Sequence, residues 1–269
     1  IAKIAFTGET TTGRLIMQYA SQNLIPVTLE LGGKSPTIIG DDFPIELAAA
    51  RIATGKLFNG GQTCIAPDYV LVHQDALDAF VREYDQAVRS LYPAGPNSAD
   101  ATAVINERHF QRLHALLDDA RSHGAQVHEV GVDPADAAAR THHIAPTVVL
   151  GATDQMRVMQ EEIFGPVLPV IGYRDLVTAI AFVNARPRPL ALYYFGNHGA
   201  SIRKVLASTT SGNVTVNNTL MHYAQEDLPF GGVGASGIGA YHGIEGFRAL
   251  SHAKGVYQRS EERRVGKEC

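Results

Sequence analysis

The sequence lacks the features that announce several classes of protein. No apolar run approaches the roughly 20 residues a membrane-spanning helix needs, and no leader-like segment opens the chain. No Lys/Arg block stands out before the extreme C-terminus, and 23 basic residues face 27 acidic ones for a formal charge of −4. Nothing therefore marks a surface for tracking nucleic-acid phosphates, and the expectation is a soluble, cytoplasmic protein with a small-molecule partner, without nucleic acid and without a membrane segment. Cysteine is scarce too. Of two cysteines, Cys269 lies in a terminal segment set aside below, which leaves Cys64 alone. An internal disulfide and a C-x-x-C zinc or redox pair are both excluded. Histidine supplies no metal site either: His142 and His143 are adjacent, and His109 and His114 are five apart, off the i, i+4 face that metal ligation on a helix needs.

What is present is core-forming material. The chain has 269 residues, 45% of them hydrophobic, enough for one large or two medium domains and too apolar for disorder. Residues 1–6 already read as a buried strand and Ile1 is not Met, so a further N-terminal portion is expected. Residues 259–269, RSEERRVGKEC, match one reading frame of a sequencing-library adapter and are read as translated adapter rather than natural protein. An ordinary solvated charged tail is the alternative.

Extended and helical patterns alternate along the chain. Strands are expected at residues 1–6, 27–31, 36–39, 69–72, 147–150, 167–173, 190–195 and 213–216. Helices are expected at 10–20, where Leu15, Ile16 and Tyr19 can share a face, and at 45–58, 76–91, 106–122, 176–184 and 201–208. Such alternation predicts an α/β fold with a largely parallel sheet. Residues 132–140 read as an exposed loop, and residues 229–243, with six glycines around Phe230 and Tyr241, as a stretch without regular structure.

Four places can carry chemistry. Gly8, with Gly13 five residues on, makes a tight turn between strand and helix where free N–H groups can face a phosphate. It is neither a G-x-G-x-x-G fingerprint nor a Walker A loop, and a plain turn fits equally. Glu9 beside it would repel a pyrophosphate. Cys64 follows Asn59-Gly60-Gly61-Gln62-Thr63, whose backbone N–H groups can approach a carbonyl oxygen. A modestly lowered pKa, from such groups or from a cationic cofactor ring, would make its thiol a nucleophile, while an inert core cysteine fits the same spacing. Glu30 stands between Leu29 and Leu31 on an otherwise buried strand, where burial would raise its pKa and suit it to base catalysis. A solvent-facing carboxylate at a strand edge is the alternative. Glu161-Glu162-Ile163-Phe164-Gly165-Pro166, taken unaided, reads as a structural helix end entering a strand.

Taken together, FTGETTTG, LELGGKSP, FNGGQTCIAPDYVLV, EEIFGPV and LPFGGVGASGIGAYHG stand in the order found in the aldehyde dehydrogenase superfamily. The resemblance covers residues 1–258, and around Cys64 and in NNTLMHYAQEDLPFGG it is nearest the branch of coniferyl and fatty aldehyde dehydrogenases. It implies the C-terminal remainder of a Rossmann-type NAD(P)-binding domain at residues 1–31, a parallel-sheet catalytic domain at 32–212, and a bridging, oligomerising and active-site segment at 213–258. By the same resemblance Cys64 attacks the aldehyde, Glu30 activates water, Glu162 holds the nicotinamide ribose, Phe164 lies against the nicotinamide, and Gly8 and Gly13 border the NAD or NADP. A homodimer of the full-length parent and an aromatic or medium-chain aldehyde substrate are further implications. Glu9 departs from the Ser or Asn that family members often carry. The family's oxyanion asparagine and adenosine-ribose contacts would lie upstream of Ile1, so the isolated chain is expected to show little or no activity and an open sheet edge. Two rival readings are a CoA-acylating semialdehyde dehydrogenase, against which Glu30 argues, and a non-catalytic remnant of the fold.

Overall fold

A computed structural model describes residues 2–95, 100–132 and 141–259. The expected loop at 132–140 and the adapter-like tail at 259–269 fall, beyond their first residues, outside the described residues. Two sheets organise the chain. The smaller has three strands in the order β1 (Ile4–Thr7), β2 (Val27–Glu30) and β10 (Gly237–Ile238). β1 and β2 are parallel, joined through Gly8 and helix α1 (Thr10–Ser21), while β10 returns from far along the chain to pair antiparallel with β2, Gly237 opposite Glu30.

The larger sheet has seven strands. Their spatial order is β5 (Gln126–Glu129), β6 (Thr147–Leu150), β7 (Val167–Tyr173), β4 (Tyr69–His73), β3 (Pro36–Ile39), β8 (Ala191–Phe195) and β9 (Asn213–Val216). Every pairing is parallel except β5 with β6. Parallel strands need covering on both faces, and β4 shows how that is met. Tyr69 and Leu71 enter one core with Leu113, Leu116 and Leu117 of helix α4 (Glu107–Ser122) and with Ile180 and Val183 of helix α6 (Leu176–Asn184). Val70 and Val72 point to the opposite core, with Ala48, Ile52 and Ala53 of α2 (Ile45–Leu57) and Phe80, Tyr84 and Val88 of α3 (Leu77–Leu91). The strand's side chains alternate with period two, so its continuous apolar run fills both layers. Helix α7 (Gly199–Ser208) adds Val205 to the first core.

The α/β architecture with a largely parallel sheet is the one the alternation predicts. Five elements depart from the sequence reading. β5 is half-exposed and antiparallel at the sheet edge. α5 (Arg157–Gln160) and α8 (Met221–Ala224) are single turns, too short to show a helical period. Residues 229–243, read as irregular, contain β10, whose pairing partner lies some two hundred residues earlier; the further helix α9 (Gly243–Ala249) begins at their end. Leu15 and Tyr19 of α1 do not find a core: they are 49% and 67% exposed.

Candidate active site

The C-terminal ends of β1 and β2 open onto a cleft of about 1480 Å³ that runs between the small sheet and the large one. Ligands in parallel α/β sheets gather at such strand ends. From the small sheet come Thr7, Gly8, Glu9 and Glu30; from the other side come Cys64, Glu162, Phe164, Phe58, Tyr223 and Tyr241, among others.

Glu30 ends β2 and is only 5% exposed. Neither carboxylate oxygen has a hydrogen-bond partner, and burial pushes its pKa up to about 8. Such a carboxyl titrates near neutrality and can take a proton from water. The strand is pinned on both sides at this residue: on the β1 side Thr7 pairs opposite it and the Glu30 carbonyl accepts from the N–H of Gly8 at 3.0 Å, and on the other side Gly237 of β10 pairs with it.

Cys64 is partly buried and follows a short 3₁₀ turn at Phe58–Gly61. Asn59 (φ 52°) and Gly60 (φ 62°) both take left-handed backbone there, and Gly61 (φ 77°) turns back so closely that a Cβ on it would lie 2.3 Å from the carbonyl oxygen of Gly165. That contact joins the loop carrying Cys64 to the loop holding Phe164. Tyr193 fixes the far side, donating from its hydroxyl to the Ile65 carbonyl at 2.6 Å. The thiol is not lowered. Burial, then the charge of Glu162 and more weakly that of Glu30, hold it up to about 11 against the N–H groups of Cys64 and Ile65. Burial and two carboxylates in one partly dry cleft outweigh two backbone dipoles, whereas the expectation of a lowered thiol pKa rests on N–H groups or a cationic cofactor ring and leaves these carboxylates out.

Glu162 packs its carboxylate flat on the backbone at Gly32, where a Cβ would lie 2.1 Å from Oε2, and it accepts from the N–H of Gly33. Burial and the charge of Asp68 push its pKa up to about 8 despite that bond and the nearby Lys34 and Arg112. Phe164 faces the cleft in left-handed backbone (φ 50°). Gly8 also borders the cleft. Gly13 does not: it is buried in α1 against Leu31, whose Cδ2 would be 2.7 Å from a Cβ there. The structure thus brings Cys64, Glu30, Glu162, Phe164 and Gly8 to one cleft and leaves Gly13 packed against Leu31, beside the strand that carries Glu30.

Several residues passed over in the sequence also stand here. Lys34, Asp68 and Arg112 anchor the segment carrying Glu162. Tyr241 lies near both Cys64 and Glu30, and burial pushes its pKa up to about 12. Tyr223, Phe230 and Tyr241 line the cleft as edge-on rings, with His222 stacked behind Phe230 and held to Thr215 at 2.7 Å. An acid between Pro67 and Tyr69, at the mouth of a fully buried strand, was the one available signal for Asp68. Among the described residues no group of three or more His, Cys, Asp or Glu could hold a metal ion, and no helix is long and apolar enough to cross a membrane.

A buried acid, a cysteine beside a glycine-bearing turn and a second carboxylate are thus gathered in one cleft where two α/β sheets meet. Residues 1–256 match the model of the aldehyde dehydrogenase family, and the chain belongs to that family. It is 51% identical over 256 residues to a probable coniferyl aldehyde dehydrogenase of Caulobacter vibrioides, covering 95% of this chain and 53% of that protein. It is 43% identical to the dimeric NADP-preferring aldehyde dehydrogenase of Rattus norvegicus, covering 96% and 55% respectively. Among solved structures, the substrate-bound state of Staphylococcus aureus AldH superposes with a TM-score of 0.86 at 39% identity, covering 97% of this chain and 57% of that one. The chain therefore spans about half the length of the curated relatives it matches.

Proposed function

We propose that this chain carries the nucleophile and base of an NAD(P)-dependent aldehyde dehydrogenase that oxidises an aromatic, coniferyl-type or medium-chain aldehyde to its carboxylic acid. The parent works as a homodimer in the reducing cytoplasm, where a lone thiol stays reduced. The observation that carries the reading is the meeting of Cys64, on the connection leading into the large sheet, and Glu30, at the end of a strand of the small sheet, in one cleft with Glu162. A covalent nucleophile and a separate base for hydrolysis are what stepwise oxidation of an aldehyde in water requires.

The residues divide the work as follows. The Cys64 thiol gives its proton to solvent and its sulfur attacks the carbonyl carbon, forming a C–S bond as the C=O π pair moves to the oxygen, where N–H groups of the Cys64 turn face the oxyanion. When bound, NAD(P)+ supplies the hydride acceptor that converts the thiohemiacetal to a thioester. Glu162 would hold the ribose hydroxyls and Phe164 would lie against the nicotinamide, two contacts that orient the ring for hydride transfer. Glu30 then takes a proton from water whose oxygen attacks the thioester; the C–S bond breaks, the acid leaves, and the proton passes from Glu30 to the departing sulfur to restore the thiol. The cleft fits a dinucleotide: it has the volume, a glycine at the β1–α1 turn permits close approach, and Glu162 offers a carboxylate held ready on Gly32 and Gly33.

The aromatic lining of Tyr223, Phe230 and Tyr241 favours a flat aldehyde, and the Caulobacter relative's name points the same way. Discharge to CoA instead of water would leave Glu30 buried without a task; product analysis with and without CoA separates the two. We place residues 1–31 in the cofactor domain, 32–212 in the catalytic domain and 213–258 in a bridging segment. The isolated chain is expected to lack activity, because its exposed α1 face wants covering. The deciding test is single turnover of the full-length parent with coniferaldehyde or hexanal, following NADH. Wild type should give a burst and Cys64→Ala none; silence of both with both cofactors would withdraw the reading.

A further inference from the structure

Glu162 and Phe164 sit on residues 161–165, which have no regular structure and so no ladder of their own to hold them. Side chains from remote elements hold them instead. Lys34 Nζ donates to the carbonyls of Val158 (2.8 Å) and Glu161 (2.9 Å) and pairs with the carboxylate of Asp68. Asp68, 3% exposed, accepts with its other oxygen from the N–H of Ile163 at 2.8 Å. Arg112, reaching from α4, donates to the carbonyls of Glu162 (3.1 Å) and Ile163. An ammonium has three donors, and all three of Lys34 are committed to the protein, so it has none left for a ligand although it borders the cleft. The pair also sits at a junction. Lys34 directly follows the Gly32-Gly33 backbone on which Glu162 rests, four residues after Glu30, and Asp68 is four residues after Cys64, with its own N–H donating to Ser35 at 2.8 Å.

We propose that the buried Lys34–Asp68 pair, with Arg112, is a positioning device: it sets Glu162 and Phe164 relative to Cys64 and Glu30, and so fixes cofactor affinity and the placement of the ring that takes the hydride. The proposal rests on the NAD(P)-dependent reading above. Neither Asp68 nor Lys34 touches a reacting atom; they act through the backbone of 161–163. A buried ion pair serving the fold alone would weaken every step together, whereas a positioning pair weakens only the steps that use the cofactor.

The experiment uses the full-length parent. Asp68→Asn keeps the size and an acceptor for the Ile163 N–H but removes the charge that fixes Lys34. Three quantities are read: the Kd for NAD and NADP by titration calorimetry, the single-turnover rate of hydride transfer, and the hydrolysis of p-nitrophenyl acetate, which needs Cys64 and Glu30 but no cofactor. Expected are a cofactor Kd weakened about tenfold or more and slowed hydride transfer, with ester hydrolysis within about twofold of wild type and faster hydrogen exchange at the Ile163 amide. Cofactor binding and hydride transfer equal to wild type overturn the proposal, as does a loss of ester hydrolysis as large as the loss of hydride transfer. Should Asp68→Asn fail to fold, Arg112→Gln removes the bonds to Glu162 and Ile163 from the other side and must give the same split. Absence of hydride transfer in the wild type would instead sink the dehydrogenase reading itself.

Discussion

Above neutral pH the ionised carboxylate of Glu30 is a charge held in a site with no partner for either oxygen. Moving a carboxyl from its ordinary 4.5 to about 8 corresponds to about 5 kcal/mol against the charged form. That is an upper limit, since relaxation and water entering the cleft return part of it, and about 1–3 kcal/mol is expected. The sign follows from proton binding. The folded pKa lies above the unfolded one, so the folded state holds an extra proton between 4.5 and about 8; this contribution to stability is whole below that window and is lost as pH rises through it. Glu30→Gln has no charge to bury. Its amide is also poorly partnered, but that cost is the same at every pH, so the test lies in the slope and not in the intercept. Urea unfolding of the full-length parent and of the variant at about pH 5, 7 and 9 should show the variant gaining stability relative to wild type by about 1–3 kcal/mol across the series, while release of acid from the thioester collapses. Parallel pH curves for the two proteins would refute the reasoning, because the carboxylate would then be solvated or paired in solution.

The extent to which the sequence disclosed this molecule follows from how local each signal is. β3, β6 and β7 begin and end where their apolar runs do, because a strand covered on both faces writes its boundaries in the chain. β5, the run QVHE, is a half-exposed edge strand with no such mark, and β10 is two residues long and exists only because β2 is there to pair with. The site was legible to a lesser degree. Glu30 between two leucines and Cys64 after a glycine turn could be singled out, but each had an inert reading that local spacing could not remove. Glu162 read as structural until resemblance gave it a role. Lys34, Asp68, Arg112 and Tyr193 left almost no trace, since their partners are backbone groups dozens of residues away or more, and no pattern within a window of helical or strand length records such a bond. The thiol's raised pKa was hidden for the same reason: its largest electrostatic opponent, Glu162, is distant in sequence.

Four further outcomes are expected in the full-length parent. Gly61→Ala, which puts a Cβ 2.3 Å from the Gly165 carbonyl at φ 77°, should cost about 2–4 kcal/mol in urea unfolding and shrink the burst; a variant as stable as wild type would show that the two loops do not touch. Gly237→Ala meets the Leu29 carbonyl at 2.2 Å and should cost about 1–3 kcal/mol, with the exchange of the Leu31 amide, bonded to Ser236 at 3.0 Å, accelerating as β10 detaches. Tyr193→Phe leaves the buried Ile65 carbonyl without its 2.6 Å donor; a loss of about 1–3 kcal/mol on thermal unfolding is expected, and none would mean that water replaces it. The last concerns the nucleophile itself. Burial first, joined by the charges of Glu162 and Glu30 where these are ionised, raises the Cys64 thiol from 9.0 to about 11, so near neutral pH the cofactor-free thiol has less thiolate than an ordinary cysteine and iodoacetamide should alkylate it more slowly. Glu162 contributes to that rise only when ionised, above its own pKa of about 8. Glu162→Gln should therefore leave alkylation unchanged at about pH 6 and speed it several-fold at about pH 10, where wild-type Glu162 is charged and still holds the proton on the sulfur. Alkylation of the cofactor-free wild type at the rate of a free thiol, or a variant effect independent of pH, would show that the carboxylates of this cleft do not govern the sulfur.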